Sequence, residues 1–355
     1  MNAIMFSVAE GLSGVLADEV KQRLGVQAEK VADMRGSELL RIPAEVDAKA
    51  ATGIKTCEDV FLTLGRIRLS GQLVDLKSVE RMGLWGSPLR EALDVWSHVR
   101  GQAVVKRMTF RVVVQAEDAA WRRYRRSDIV LAAERGLIEA GSSWRVNRDE
   151  APLEIWLQQV GRELIVNVRL TTNVDRQHGG REVEREAALR PSIAAAMVWL
   201  SEPQDDDIFM DPMCGSGTIL LERAVMGRYE LLLGGDVDPA AVQATLANFG
   251  PRHQPRRIER WDATSLPVPD SSITTVACNL PWGRKISEQS QLPALYKNLL
   301  TEWSRVLAPG GRMVLLTSEW DTLKDAAEQS GLVIRRSVPN VRVMGRRADI
   351  FVLSR

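Results

Sequence analysis

Cysteine, histidine and tyrosine are scarce in this chain, with three of each among 355 residues. Cys57, Cys214 and Cys278 lie far apart and match neither a zinc-ligand spacing nor a disulfide framework. No metal is therefore expected, and a reducing cytoplasm is the simplest setting. His98, His178 and His253 stand apart from every candidate motif, so no strong general base is evident. No apolar run approaches the ~18 residues of a membrane span. The start, Met1 to Phe6, lacks the basic region and long apolar stretch of a signal peptide. With a net charge of +1 there is no global basic field for nucleic acid, so any such footprint must be local. What remains, 45% hydrophobic and 26% charged residues, fits a soluble globular protein, and the length suggests two or three domains.

The first 70 residues read as strand and helix traffic without phosphate-loop glycines. Strands are expected at Asn2–Val8, Val26–Val31, Leu39–Ile42 and Val60–Leu69, and helices at Ser13–Leu24 and Glu45–Ile54. A second α+β unit is expected over 71–171. Pro88–Val99 and Asp128–Ala140 read as helices, Met108–Gln115 as a strand, and Leu153–Gln159 with Glu163–Leu170 as a hairpin. Trp121 to Arg126 form a basic, aromatic loop. Its arginines either pair with Glu117, Asp118 and Asp128 or track phosphates beside a stacking aromatic. Residues 172–190 form a polar, arginine-rich connector, and Pro191 suits the first turn of a helix running to Leu200.

From Asp207 onward, strands alternate with helices, which implies a parallel, doubly wound sheet. Asp211, Asp236, Asp262 and Asn279 each close a strand-like run. All four therefore belong at the carboxyl edge of that sheet, where ligands bind. Gly215 and Gly217 allow close backbone approach and a tight turn into a helix with an electropositive N-terminus. Asp236 follows Gly217 by 19 positions, near the ~20 expected of an acid gripping ribose hydroxyls. A dinucleotide fingerprint would place a third glycine where Leu220 stands. After the fourth strand comes Cys278-Asn279-Leu280-Pro281-Trp282-Gly283. There an amide and a backbone carbonyl can accept from an exocyclic amine, a proline stiffens the backbone, and an indole can stack on a base.

Asp211 to Thr218 and Asn279 to Trp282 resemble the first and fourth motifs of class I S-adenosylmethionine-dependent methyltransferases acting on exocyclic amines. Ala188 to Ala194 is similar to the segment preceding the catalytic domain in THUMP-domain RNA methyltransferases. Phe110 to Val112 and the Leu153–Leu170 hairpin look like the end strands of a THUMP domain, and the nearest subgroup is the tRNA guanine-N2 methyltransferases. The resemblance implies an α/β protein in four parts. These are a ferredoxin-like region at 1–70, a THUMP domain at 71–171, a linker at 172–190 and a Rossmann-like catalytic domain at 191–355. It implies that Leu189, Arg190, Pro191, Asp211, Met213, Gly215, Ser216, Gly217, Thr218, Asp236, Val237, Asp262, Ala263 and Asn279 hold S-adenosylmethionine. It assigns the target base to Asn279, Leu280, Pro281 and Trp282 and acceptor-end binding to the THUMP region; from charge and position, RNA contact is expected at Lys106, Arg111, Arg122, Arg123, Arg125, Arg126, Arg284 and Lys285. The family's fourth motif carries a proline where Leu280 stands. The expected reaction is N2-methylation of a tRNA guanosine, in the acceptor stem, by a cytoplasmic monomer. A ribosomal-RNA or DNA amino-methyltransferase, a nicotinamide-dependent dehydrogenase and a silent RNA-binding module are the rivals.

Overall fold

A computed structural model describes residues 3–116, 120–141, 143–178, 183, 188–283 and 289–355. The chain divides into two compact units, residues 1–8 with 17–172, and residues 9–16 with 173–355.

The first unit is built on one eight-stranded sheet. Its strands are β1 (Ala3–Ala9), β2 (Glu29–Met34), β3 (Ser37–Pro43), β4 (Asp59–Arg68), β5 (Thr109–Gln115), β6 (Arg145–Val146), β7 (Leu153–Val160) and β8 (Glu163–Arg169). They run in the order β2-β3-β1-β4-β8-β7-β5-β6. The boundary expected near residue 70 thus falls between two parts of a single sheet. Antiparallel pairing of β4 with β8, from Phe61–Arg169 to Arg68–Glu163, joins them. A buried polar ladder crosses the junction, Thr63 donating to Asn167 at 2.8 Å, Asn167 to Gln158 at 3.0 Å and Gln158 to Gln115 at 2.9 Å. Helices α1 (Ser13–Leu24), α2 (Ala48–Ala51), α3 (Val74–Glu80), α4 (Ser87–Arg100) and α5 (Arg126–Gly141) lie along this half of the chain. The expected helix at 45–54 shrinks to α2, whose start Asp47 caps through the Lys49 and Ala50 amides.

In the second unit the strands are β9 (Ile208–Asp211), β10 (Leu231–Asp236), β11 (Arg256–Arg260), β12 (Ile273–Asn279), β13 (Leu307–Thr317), β14 (Val333–Val343) and β15 (Arg346–Ser354). Their order is β11-β10-β9-β12-β13-β15-β14, parallel through β13, with β15 antiparallel to its neighbours. The chain reverses direction across the sheet between β9 and β12, and the ends of those two strands carry Asp211 and Asn279. Helices α6 (Asn173–Arg176), α7 (Pro191–Leu200), α8 (Thr218–Met226), α9 (Pro239–Phe249), α10 (Leu292–Val306) and α11 (Trp320–Gln329) are the described α-helices of this half of the chain. Tyr296, Leu299, Leu300 and Trp303 of α10 join Val276, Cys278 and Leu280 in a fully buried core under the end of β12. Burying such side chains contributes roughly 1.5–3 kcal/mol each, which anchors the loop that follows.

Candidate active site

The loop after β9 turns back on itself around two glycines. Gly215 (φ 57°) and Gly217 (φ 80°) occupy the left-handed region. A Cβ on Gly217 would lie 2.8 Å from Thr245 Cγ2, whereas one on Gly215 would meet open space. The loop is braced from α9. Thr245 Oγ1 donates to the Gly215 carbonyl at 3.0 Å and Asn248 Nδ2 to the Ser216 carbonyl at 2.9 Å. Thr218 then starts α8. Leu220, in place of a third glycine, is fully buried, and a Cβ on Gly234 would meet its Cδ1 at 2.4 Å. The close helix–sheet approach is therefore kept by a glycine on β10 instead of one on the helix.

Asp236 links two of these elements. One carboxylate oxygen accepts from the Gly215 amide at 3.0 Å and the other from the Asp238 amide at 3.0 Å. The group is half-buried, and Val237 beside it is 63% exposed, an apolar ledge at the strand end. Asp211 is buried and accepts from the Met213 amide at 3.2 Å and from the Cys278 thiol. Burial, with the Asp236 charge adding to it, pushes its carboxyl up to about 7. A cationic partner would relieve that cost. Asp262 lies two residues beyond β11 and is exposed, its Oδ1 accepting from the Thr264 amide and hydroxyl at 2.8 and 2.7 Å. Ala263 is buried, its carbonyl held by Trp303 Nε1 at 2.9 Å. Leu189 is buried, Arg190 donates to the Arg342 carbonyl at 2.8 Å, and Pro191 opens α7.

Sequence reasoning passed over Trp261. Its indole covers Gly235, where a Cβ would fall 2.1 Å from the ring, and its Nε1 donates to the Pro212 carbonyl at 2.9 Å. One side chain thus ties the ends of β9, β10 and β11 together. The signal was the Gly234-Gly235 pair, which has no turn to serve inside a strand.

On the other side of the reversal stands Asn279. Its Oδ1 is buried and has no hydrogen-bond partner among the described residues, and the same holds for Trp282 Nε1. Buried polar atoms in a folded chain are nearly always satisfied, so an orphaned acceptor at a ligand crevice marks a place for a donor. Leu280 is buried, and its amide donates to the Leu316 carbonyl at 3.0 Å, a bond that a proline at this position could not make.

The residues expected to touch RNA fall into three groups. Lys106, Arg123, Arg125 and Arg126 are exposed. Arg122 is 8% exposed and lies over the Tyr124 ring, and Arg111 is half-buried in an ion pair with Glu154. Arg122 is thus turned away from open solvent, while Arg111 stays partly exposed. Arg284 and Lys285 lie outside the described residues, as do Glu117 and Asp118. Within the first unit a groove of about 1520 Å³ is lined by Arg35, Arg125, Arg126, Arg148, Trp121 and Trp156. Arg162 stacks over Trp121 at 4.8 Å, and a Cβ on Gly71 would clash with that ring at 2.6 Å. No group of three or more His, Cys, Asp or Glu among the described residues is placed to hold a metal ion, and no described helix is long and apolar enough to cross a membrane.

Residues 178–349 match the family described as RMKL-like, methyltransferase domain. The tRNA (guanine(6)-N(2))-methyltransferase THUMP3 of Mus musculus is 29% identical over 239 residues, 62% of this chain and 46% of that protein. The tRNA (guanine(6)-N2)-methyltransferase of Methanocaldococcus jannaschii is 26% identical over 250 residues, 59% of this chain and 65% of that protein. The match thus spans less than two thirds of those relatives' own length. The crystal structure of TrmN from Thermus thermophilus shares the fold, with a TM-score of 0.80 at 24% identity over 100% of both chains.

Proposed function

From a chain that belongs to the family of THUMP-containing, S-adenosylmethionine-dependent guanine-N2 methyltransferases, we propose an enzyme that methylates the 2-amino group of a tRNA guanosine. The product is N2-methylguanosine, and the guanosine is that of acceptor-stem position 6, as the names of the relatives suggest. The observation that carries the reading is the buried Asn279 Oδ1, without a partner among the described residues, at the strand reversal across from the glycine loop of β9.

The residues present suit the cofactor. Gly215 leaves open space where a side chain would stand, and Asp211 is a buried carboxylate short of a cation. Met213, Ser216, Gly217 and Thr218 shape the cradle for its amino-acid end. Asp236 takes the ribose hydroxyls, Val237, Asp262 and Ala263 the adenine, and Leu189, Arg190 and Pro191 the far side. The bound cofactor supplies a methyl group already activated on a sulfonium. What the chain contributes is position and electrostatics. The guanine amine is a poor nucleophile because its lone pair delocalises into the ring. Hydrogen bonds from the amine to Asn279 Oδ1 and the Leu280 carbonyl aim that lone pair, and Trp282 stacks on the base. In a stem the base must leave the helix, at a cost of a few kcal/mol.

RNA held elsewhere offsets that cost. In this reading residues 1–171 engage the acceptor end, with Trp121 as a stacking surface and Arg123, Arg125 and Arg126 on phosphates. The protein works in the cytoplasm as a monomer. Supplying labelled cofactor with unmodified tRNA, ribosomal RNA and DNA in parallel tests the substrate class. Label is expected in tRNA alone, and label in DNA or ribosomal RNA instead would overturn it.

A further inference from the structure

We infer that Tyr296 and Thr317 are positioning residues for the target base, acting through one oriented hydrogen-bond chain that holds the Pro281 carbonyl. The inference rests on the proposed role of Asn279 to Trp282. Tyr296 of α10 is fully buried, and its hydroxyl lies 2.7 Å from the Pro281 carbonyl and 2.7 Å from Thr317 Oγ1 at the end of β13. Thr317 Oγ1 in turn accepts from the Glu319 amide at 2.9 Å.

The direction of every bond in this chain is fixed. A carbonyl can only accept, so Tyr296 donates to Pro281. Having used its one proton, Tyr296 accepts from Thr317. Thr317 donates to Tyr296 and accepts from Glu319. Chains of this kind polarise one another, so each bond strengthens the next. Burial raises the Tyr296 hydroxyl well above its ordinary range, so it stays a donor at any working pH.

The consequence is local. Pro281 has its φ locked by its ring. The peptide after it is held through its carbonyl by Tyr296. The peptide before Leu280 is held through its amide by Leu316. The Leu280–Pro281 peptide between them, whose carbonyl is the second acceptor for the amine, is thereby set without being tied itself. The Leu280 amide bond and the tyrosine–threonine chain together stiffen this turn.

The test is Tyr296→Phe and Thr317→Val, alone and together, in the full chain. Expected for each single variant is a roughly tenfold lower kcat for methyl transfer to tRNA. The binding constant for S-adenosylhomocysteine is expected to stay within twofold, and the double variant to lose little more than either single one. Thr317→Ser keeps the chain and should restore kcat. Hydrogen exchange at the Trp282 amide, read without substrate, should quicken in Tyr296→Phe while exchange across 213–218 stays unchanged. An unchanged kcat, a parallel loss of cofactor binding, or additive losses would overturn the inference. If the unaltered chain moves no methyl to RNA, the underlying reading fails first and this inference falls with it.

Discussion

Replacing Asp211 with Asn should move stability and cofactor affinity in opposite directions. In the folded protein burial pushes this carboxyl up to about 7, from 3.8. Each pKa unit is worth about 1.4 kcal/mol, so the buried charge costs at most roughly 4 kcal/mol above pH 7. The neutral amide also loses hydration, so a net gain of about 2 kcal/mol is expected from the change. Its carbonyl oxygen can still accept from the Met213 amide. At about 2–4 °C per kcal/mol, the melting temperature should rise by roughly 4–8 °C at pH 8. The sign follows from linkage: because the folded value lies above the unfolded one, the native carboxyl loses stability as pH rises through 7. The advantage of Asn over Asp should therefore grow from pH 4 to 7 and level off beyond. Losing the charge proposed to face the cofactor's ammonium should weaken S-adenosylhomocysteine binding by about 10- to 100-fold, or roughly 1.4–3 kcal/mol. Thermal melts at pH 5.5 and 8 with calorimetric titration read both effects. An Asp211→Asn protein that is less stable at pH 8, or that binds with unchanged affinity, would show that Asp211 carries neither a buried-charge cost nor a cofactor contact.

Gly235→Ala should displace the Trp261 indole, because the added Cβ would fall 2.1 Å from the ring, and so break the bond to Pro212. A loss of about 1–3 kcal/mol in melting experiments and weaker cofactor binding should appear together. Arg125→Glu with Arg126→Glu should lower tRNA affinity and flatten its dependence on log salt by about one unit per lost contact, as filter binding would show, while the melting temperature holds. Arg122→Ala should do the reverse, lowering the melting temperature because its buried guanidinium packs over Tyr124.

The methyltransferase half was the more legible in sequence because its signals are local. Asp211, Asp236 and Asn279 each end a short apolar strand, and the structure puts all three at strand ends. Asp262 falls two residues past its strand, since β11 is a polar edge strand with little periodicity to read. Pairing of β4 with β8 joins positions about a hundred residues apart, and nothing in a local window encodes that. Arg122 shows the same limit. A basic run reads as surface, yet Tyr124 donating to the buried Asp75 at 2.7 Å draws the middle of that loop inward. Tyr296 leaves no local signal for the same reason, and Trp261 only the indirect one of the Gly234-Gly235 pair, since what they hold lies 15 and 49 residues away.

If Asn279 presents a base amine to the cofactor's methyl group, as proposed, mapping the methylated product reveals it. Unmodified tRNA is incubated with methyl-labelled S-adenosylmethionine and either the unaltered chain or Asn279→Ala, then digested to nucleosides. Label is expected in N2-methylguanosine from the acceptor stem, lost at least 100-fold in the variant, with S-adenosylhomocysteine affinity held within about threefold. Label on another base or ring atom, or equal incorporation by the variant, would contradict it.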